Sequence, residues 1–132
     1  MERFNRLQGV HDAQDIASTK HPEQSLFFFP EGTFTRVSGL QNFHMGAFIT
    51  AASANFQIVP IAIRGTRSML RSGTWMPSRG QITITIGEVI TPEVEEASAD
   101  QWATAVKLKQ AAHYHILSNC GEVDLSYRSS SA

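Results

Sequence analysis

The sequence predicts an α/β domain: a mixed, mostly parallel sheet of βαβ type flanked by helices. Three observations predict it. Ser25–Phe29 and Phe56–Arg64 are continuous apolar runs without alternation, the pattern of strands buried on both faces. Between them, Gly46–Asn55 reads as a helix, with Phe48 and Ile49 among small alanines. Strand, loop, helix and strand in that order form a crossover, which lays its two strands parallel. Downstream, Gln81–Gly87 alternates Ile82, Ile84 and Ile86 with Thr83 and Thr85, as a half-exposed, edge-like strand does.

Each remaining element follows from local chemistry. Val10, Ala13, Ile16 and Ala17 fall at helical spacing and predict a helix over Gly9–Ser18. His11 and Asp15 stand one turn apart on it. By type they suit an acid–base or metal pair; by their place on the polar face they suit a solvated one. Lys20–Gln24 is a turn, Ser25–Phe29 the central strand, and Thr35–Phe43 an irregular loop containing Gly39. Thr66–Arg79 is irregular too. Its Arg67, Arg71 and Arg79 are basic, while Leu70, Trp75 and Met76 are apolar. That mixture suits either a membrane surface or acyl-chain cover, or a loop packed on the domain. Ser98 or Asp100 caps a helix that runs to about Asn119. Ala105, Leu108, Ala112 and Ile116 give it an apolar stripe, with His113 and His115 as surface groups, and Gly121 ends it. The expected organisation is one domain over residues 1–121 and a flexible tail over 122–132.

The chain has 132 residues, enough for one domain with a real core, and 42% of them are hydrophobic. A net charge of −1 gives no bulk attraction to nucleic acid. The single Cys120 excludes an internal disulfide and a cysteine metal cluster, and reads as a buried or incidental thiol. No apolar run approaches the roughly 20 residues that span a bilayer. The first residues lack the apolar core of a signal peptide. A cytoplasmic location is the expectation, with peripheral contact at the inner face of the membrane left open.

Chemistry concentrates at Ser25–Arg36. The apolar run stops at Pro30, which has no N–H to give to a sheet ladder. Glu31, Gly32, Thr33 and Thr35 follow, with Arg36 beyond. Gly32 permits close approach of backbone and ligand. Glu31 is a charge at the end of an apolar segment and requires a cationic or hydroxyl partner. Here Phe29-Pro30-Glu31-Gly32-Thr33 resembles the Phe-Pro-Glu-Gly-Thr block of the glycerolipid acyltransferases, the lysophosphatidic acid acyltransferases and their relatives. Val59–Gly65 matches that family's later Val-Pro-hydrophobic block, and Asn42–Phe48 between them fits as well. The resemblance extends from Arg3 to Ile90.

The resemblance implies acyl transfer from an acyl thioester, acyl-CoA or acyl carrier protein, to a lysophospholipid or glycerol phosphate. No resident cofactor and no metal are implied. Arg3, or Arg6 as a second choice, would neutralise the acceptor phosphate. Glu31, Gly32 and Thr33 would line the acceptor site. Arg36 stands two positions later than the arginine of close relatives, where Phe34 is found here. Pro60 would shape the wall on the acyl-donor side, with Arg64 as a helper or a strand-end charge. The family's catalytic His-x-x-x-x-Asp is absent: five residues after His11, His21, His44, His113 and His115 stand Ile16, Leu26, Ile49, Ser118 and Cys120. The expectation is thus the acceptor-binding, C-terminal part of an N-terminally incomplete acyltransferase domain. The alternative is a non-catalytic lipid-phosphate binding or scaffold fragment. An unrelated nucleotide-binding βαβ domain lacks its Gly-x-Gly-x-x-Gly loop.

Overall fold

The computed structural model describes residues 15, 18, 23–32, 37–70, 75–93 and 100–126. In chain order its elements are α1 (Gly46–Ala54), β1 (Ile61–Arg64), α2 (Thr66–Met69), β2 (Thr83–Ile86) and α3 (Gln101–Cys120). Together they make a small mixed α/β fold. Asp15 and Ser18 are helical, and the Ser18 hydroxyl donates to the Asp15 carbonyl at 2.8 Å. The rest of the helix predicted over Gly9–Ser18 lies outside the described residues.

The long helix α3 is the scaffold. Asp100 caps its start by accepting a hydrogen bond from the Trp102 N–H at 3.0 Å, which satisfies one of the amides a helix leaves unpaired. Gly121 ends it at φ +71°, a conformation in which a side chain is strained. Ala105, Leu108 and Ala112 bury the predicted stripe. Against it lies α1, through Phe48, Ala51 and Ala52. Small residues on both faces allow close approach of the two axes. Leu40 and Phe43, ahead of α1, complete this core, and Cys120 is buried in it. Thr50 is buried yet satisfied, since its hydroxyl donates to the Gly46 carbonyl one turn back at 2.9 Å.

The sheet differs from expectation. β1 pairs with β2, and the pairing is antiparallel, Ile61 opposite Ile86 through Arg64 opposite Thr83. A bridge between Ile58 and Ile90 prolongs it. The register shifts by one residue between the two segments, beside Pro60, which cannot donate to a ladder. The inner face carries Ala62, 1% exposed, and packs on α3. The outer face carries Ile63, Ile84 and Ile86, all exposed. Alternation correctly predicted a one-sided strand, but its small and hydroxyl residues, not its isoleucines, meet the helix.

Ser25–Phe29 is not a strand. Residues 24–29 carry no ladder pairing, and Phe27 and Phe29 are 79% and 83% exposed. An apolar run becomes a doubly buried strand only with neighbours on either side, and the strands among the described residues pair with each other. Beyond α2, Leu70, Trp75 and Met76 are exposed, while Ser78 is tied back to α2, its N–H donating to the Met69 carbonyl at 2.7 Å. Two further expectations are corrected by α3's surroundings. His113 is half-buried with its ring edge-on to Phe43, centroids 4.8 Å apart. His115 lies over β2, with Nε2 at 3.5 Å from the Thr85 carbonyl.

The segment after Gly121 is held, not frayed. Leu40 N–H donates to the Val123 carbonyl at 2.7 Å, and Leu125 N–H donates to the Leu40 carbonyl at 2.9 Å. Leu125 is buried. Gly39, at φ +140°, leaves the space that the Leu125 side chain fills. Arg67 of α2 pairs with Glu122 at 3.0 Å. Residues 127–132 lie outside the described residues.

Asp124 supplies a pH dependence. Hydrogen bonds from Ser126 hold its carboxyl below the usual aspartate value, with His113 adding a smaller attraction. The folded-state value is the lower one, so the stabilisation exists above about pH 4 and is lost as pH falls through the folded-state value. Its size is modest, because the side chain is 39% exposed. Denaturation of Asp124→Asn between about pH 5 and pH 3 should therefore show a shallower loss of stability than the unsubstituted chain. Equal slopes would contradict this.

Candidate functional site

Phe29-Pro30-Glu31-Gly32 forms a tight turn, closed by the Gly32 N–H donating to the Phe29 carbonyl at 3.0 Å. Proline suits the second position of such a turn by its fixed φ, and glycine the fourth. Gly32 has φ +74°. The turn is clasped to the segment that leads into α1. His44 N–H donates to the Pro30 carbonyl at 2.8 Å. Gln41 N–H donates to Glu31 Oε2 at 3.0 Å, a hydrogen bond strengthened by the acceptor's charge. The partner that Glu31 requires is thus a backbone amide.

Segment 41–44 is itself anchored. Leu40 is tied to residues 123–125. Phe43, 2% exposed, stacks with Phe48 of α1 at 6.3 Å. The turn therefore inherits its position from the core without being in it. Glu31 is partly buried and Gly32 exposed. The imidazole of His44 lies against Gly32: a Cβ added there would sit 2.8 Å from its Cδ2 and 2.9 Å from its Nε2.

The structure unites Glu31 and Gly32 and places the donor-side residues elsewhere. Pro60 is buried, with its carbonyl accepting the Gly87 N–H at 2.8 Å. Arg64 is exposed at the end of β1, its guanidinium against Gly121. There it meets the C-terminal end of α3, whose unpaired carbonyls favour a cation. Arg64 also lines a polar cavity of about 430 Å³ with Gly65, Gln81, Thr83, Thr85, Ser118 and Asn119. Arg3, Thr33 and Arg36 lie outside the described residues. No cluster of metal-ligating side chains occurs among the described residues.

Two contributors were missed in the sequence. Gln41 acts through its backbone, which no side-chain pattern reveals. His44 lies within the Asn42–Phe48 match, but the residue five places on is Ile49, so a search for His-x-x-x-x-Asp passes over it. Chemically, the turn offers two complementary groups. Glu31 Oε2 is occupied by Gln41, which leaves Oε1 to accept from a ligand hydroxyl. The His44 ring offers a donor one residue away.

Comparison with known proteins places this geometry in context. Residues 1–64 match the acyltransferase family. A 1-acyl-sn-glycerol-3-phosphate acyltransferase of Chlamydomonas reinhardtii is 32% identical over 108 residues, covering 81% of this chain and 31% of the relative. One of Haemophilus influenzae is 32% identical over 76 residues, covering 57% of this chain and 32% of the relative. A chloroplastic one of Arabidopsis thaliana is 42% identical over 50 residues, covering 38% of this chain and 14% of the relative. The chain thus spans a third or less of the length of these relatives. No solved structure matches.

The clasp has a direct test. In Glu31→Ala the Gln41 amide loses a charge-assisted partner that contributes about 1.5–3 kcal/mol. Its hydrogen exchange should accelerate by roughly tenfold or more, while amides of α3 keep their protection. Unaltered exchange at Gln41 would refute the clasp.

Proposed function

The chain belongs to the acyltransferase family, and from that premise we propose that it carries the acceptor-binding half of an enzyme of phospholipid synthesis. The reaction is transfer of an acyl group from an acyl thioester, acyl-CoA or acyl carrier protein, to a hydroxyl of a lysophospholipid or glycerol phosphate. The observation that carries this reading is the Glu31–Gly32 turn, clasped to Gln41 and His44 within the stretch that matches the family.

Acyl transfer has four requirements. A base removes the acceptor's proton, and a partner orients that base. Donors receive the oxyanion formed as the hydroxyl attacks the thioester carbonyl. Positive charge holds the acceptor phosphate. The thiolate then leaves and takes up a proton. Glu31 Oε1 serves the positioning of the acceptor by accepting from a glycerol hydroxyl. Arg3, Thr33 and Arg36 complete the phosphate side of the site, Pro60 and Arg64 the donor side. The base is the missing part, since the chain contains no His-x-x-x-x-Asp.

The exposed Leu70, Trp75 and Met76, with Arg79 near them in sequence, support a peripheral contact with a membrane on its cytoplasmic side. No helix among the described residues is long and apolar enough to cross one. A second reading is a lipid-phosphate binding fragment that never turns over.

The 132-residue chain, given acyl-CoA and lysophosphatidate, should form no phosphatidate above background, yet should bind sn-glycerol 3-phosphate in preference to glycerol. Turnover would overturn the division of labour proposed here. Equal or absent binding of the two ligands would overturn the acceptor site. In a longer, active protein that contains this chain, Glu31→Ala should raise the acceptor KM; lysophosphatidate binding without turnover in that longer protein would favour the second reading.

A further inference from the structure

We propose that His44 is an acceptor-binding residue, whose imidazole donates a hydrogen bond to the acceptor's phosphate across the Glu31–Gly32 turn. The proposal rests on the reading of that turn as the acceptor site and adds a residue to it.

Three backbone donors at and beside the turn are already used. Gly32 N–H is given to Phe29, Gln41 N–H to Glu31 and His44 N–H to Pro30. Among the described residues there, the side chains of Gln41 and His44 both have a donor to spare, and it is the ring of His44 that lies on the turn. Its ring is exposed, lies directly on Gly32, and makes no hydrogen bond or ion pair. Gly32 is what admits it, because any Cβ would strike the ring.

Charge sharpens the requirement. Glu31 is a carboxylate one residue from Gly32, and a phosphate brought beside it is repelled. An imidazole N–H beside Gly32 offers that phosphate a donor on the side of the turn where the ring lies. The titratable residue of the turn is Glu31, next to the Gly32 on which the ring lies. Residues 37–43 carry no charged side chain, nor does α1, which follows directly. A glycerol phosphate presents a hydroxyl and a phosphate only a few atoms apart, which matches an acceptor oxygen on Glu31 beside a donor on His44.

Calorimetric titration of the 132-residue chain with sn-glycerol 3-phosphate, at about pH 6 and about pH 8, tests this. The unsubstituted chain is compared with His44→Gln and His44→Lys. The phosphate's own ionisation is common to all three, so the affinity relative to His44→Gln is read. The unsubstituted chain should bind about tenfold more tightly than His44→Gln at the lower pH. His44→Lys should bind tightly at both. If His44→Gln binds as well as the unsubstituted chain at both pH values, His44 has no such role and the acceptor site stands without it. If both variants lose binding alike, the ring is structural and the proposal fails. If the unsubstituted chain binds nothing, the acceptor site falls, and His44 with it.

Discussion

The structure depends on the contact between α1 and α3, two helix faces built from small residues. Ala51 and Ala52 on one and Ala105 and Ala112 on the other let the backbones approach, with Phe48 and Leu108 filling the space left. Burial of this kind is the main favourable term in folding. It positions every other part. α1 holds Phe43 through the Phe48 ring, and Phe43 meets His113 of α3. The other side of α3 receives β1 through Ala62. The turn that carries Glu31 is then attached by two hydrogen bonds to a segment that this core has already immobilised.

That arrangement separates stability from function. Gln41 and His44 lie between the buried Leu40 and Phe43 on one side and the exposed turn on the other. Their backbones are structural, while the ring of His44 and one oxygen of Glu31 remain available. A group placed in this way loses little freedom when a ligand arrives, because its backbone is already ordered. The polar cavity beside Arg64 is differently built. Its arginine lies at the end of α3, where the helix itself is a partner for the charge.

Much of the fold was legible in the sequence. The stripe of α3, a cap at Ser98 or Asp100 and the Gly121 stop were visible because periodicity and capping are local properties. So was α1. The sheet was less legible. An apolar run such as Ser25–Phe29 states that burial is wanted but not what will provide it, and here Phe27–Phe29 are exposed. The β2 alternation gave a one-sided strand but not the side, because Ala62 opposite Thr85 allowed α3 to approach that face. Val123–Leu125 read as a tail because its partner, Leu40, is remote in sequence. For the site, the block of residues located Glu31 and Gly32, but the partner of Glu31 is a backbone amide and the neighbour of Gly32 is the ring of His44. Neither has a spacing that marks it.

The central claim is that the turn held at Gln41 and His44 is where a phosphorylated glycerol binds. Backbone amide shifts followed while sn-glycerol 3-phosphate is added to the 132-residue chain test it most directly. Shifts concentrated at Glu31, Gly32 and residues 41–44, with α3 little affected, are the expected result. Shifts concentrated instead at Thr83, Thr85, Ser118 and Asn119, around Arg64, would contradict it.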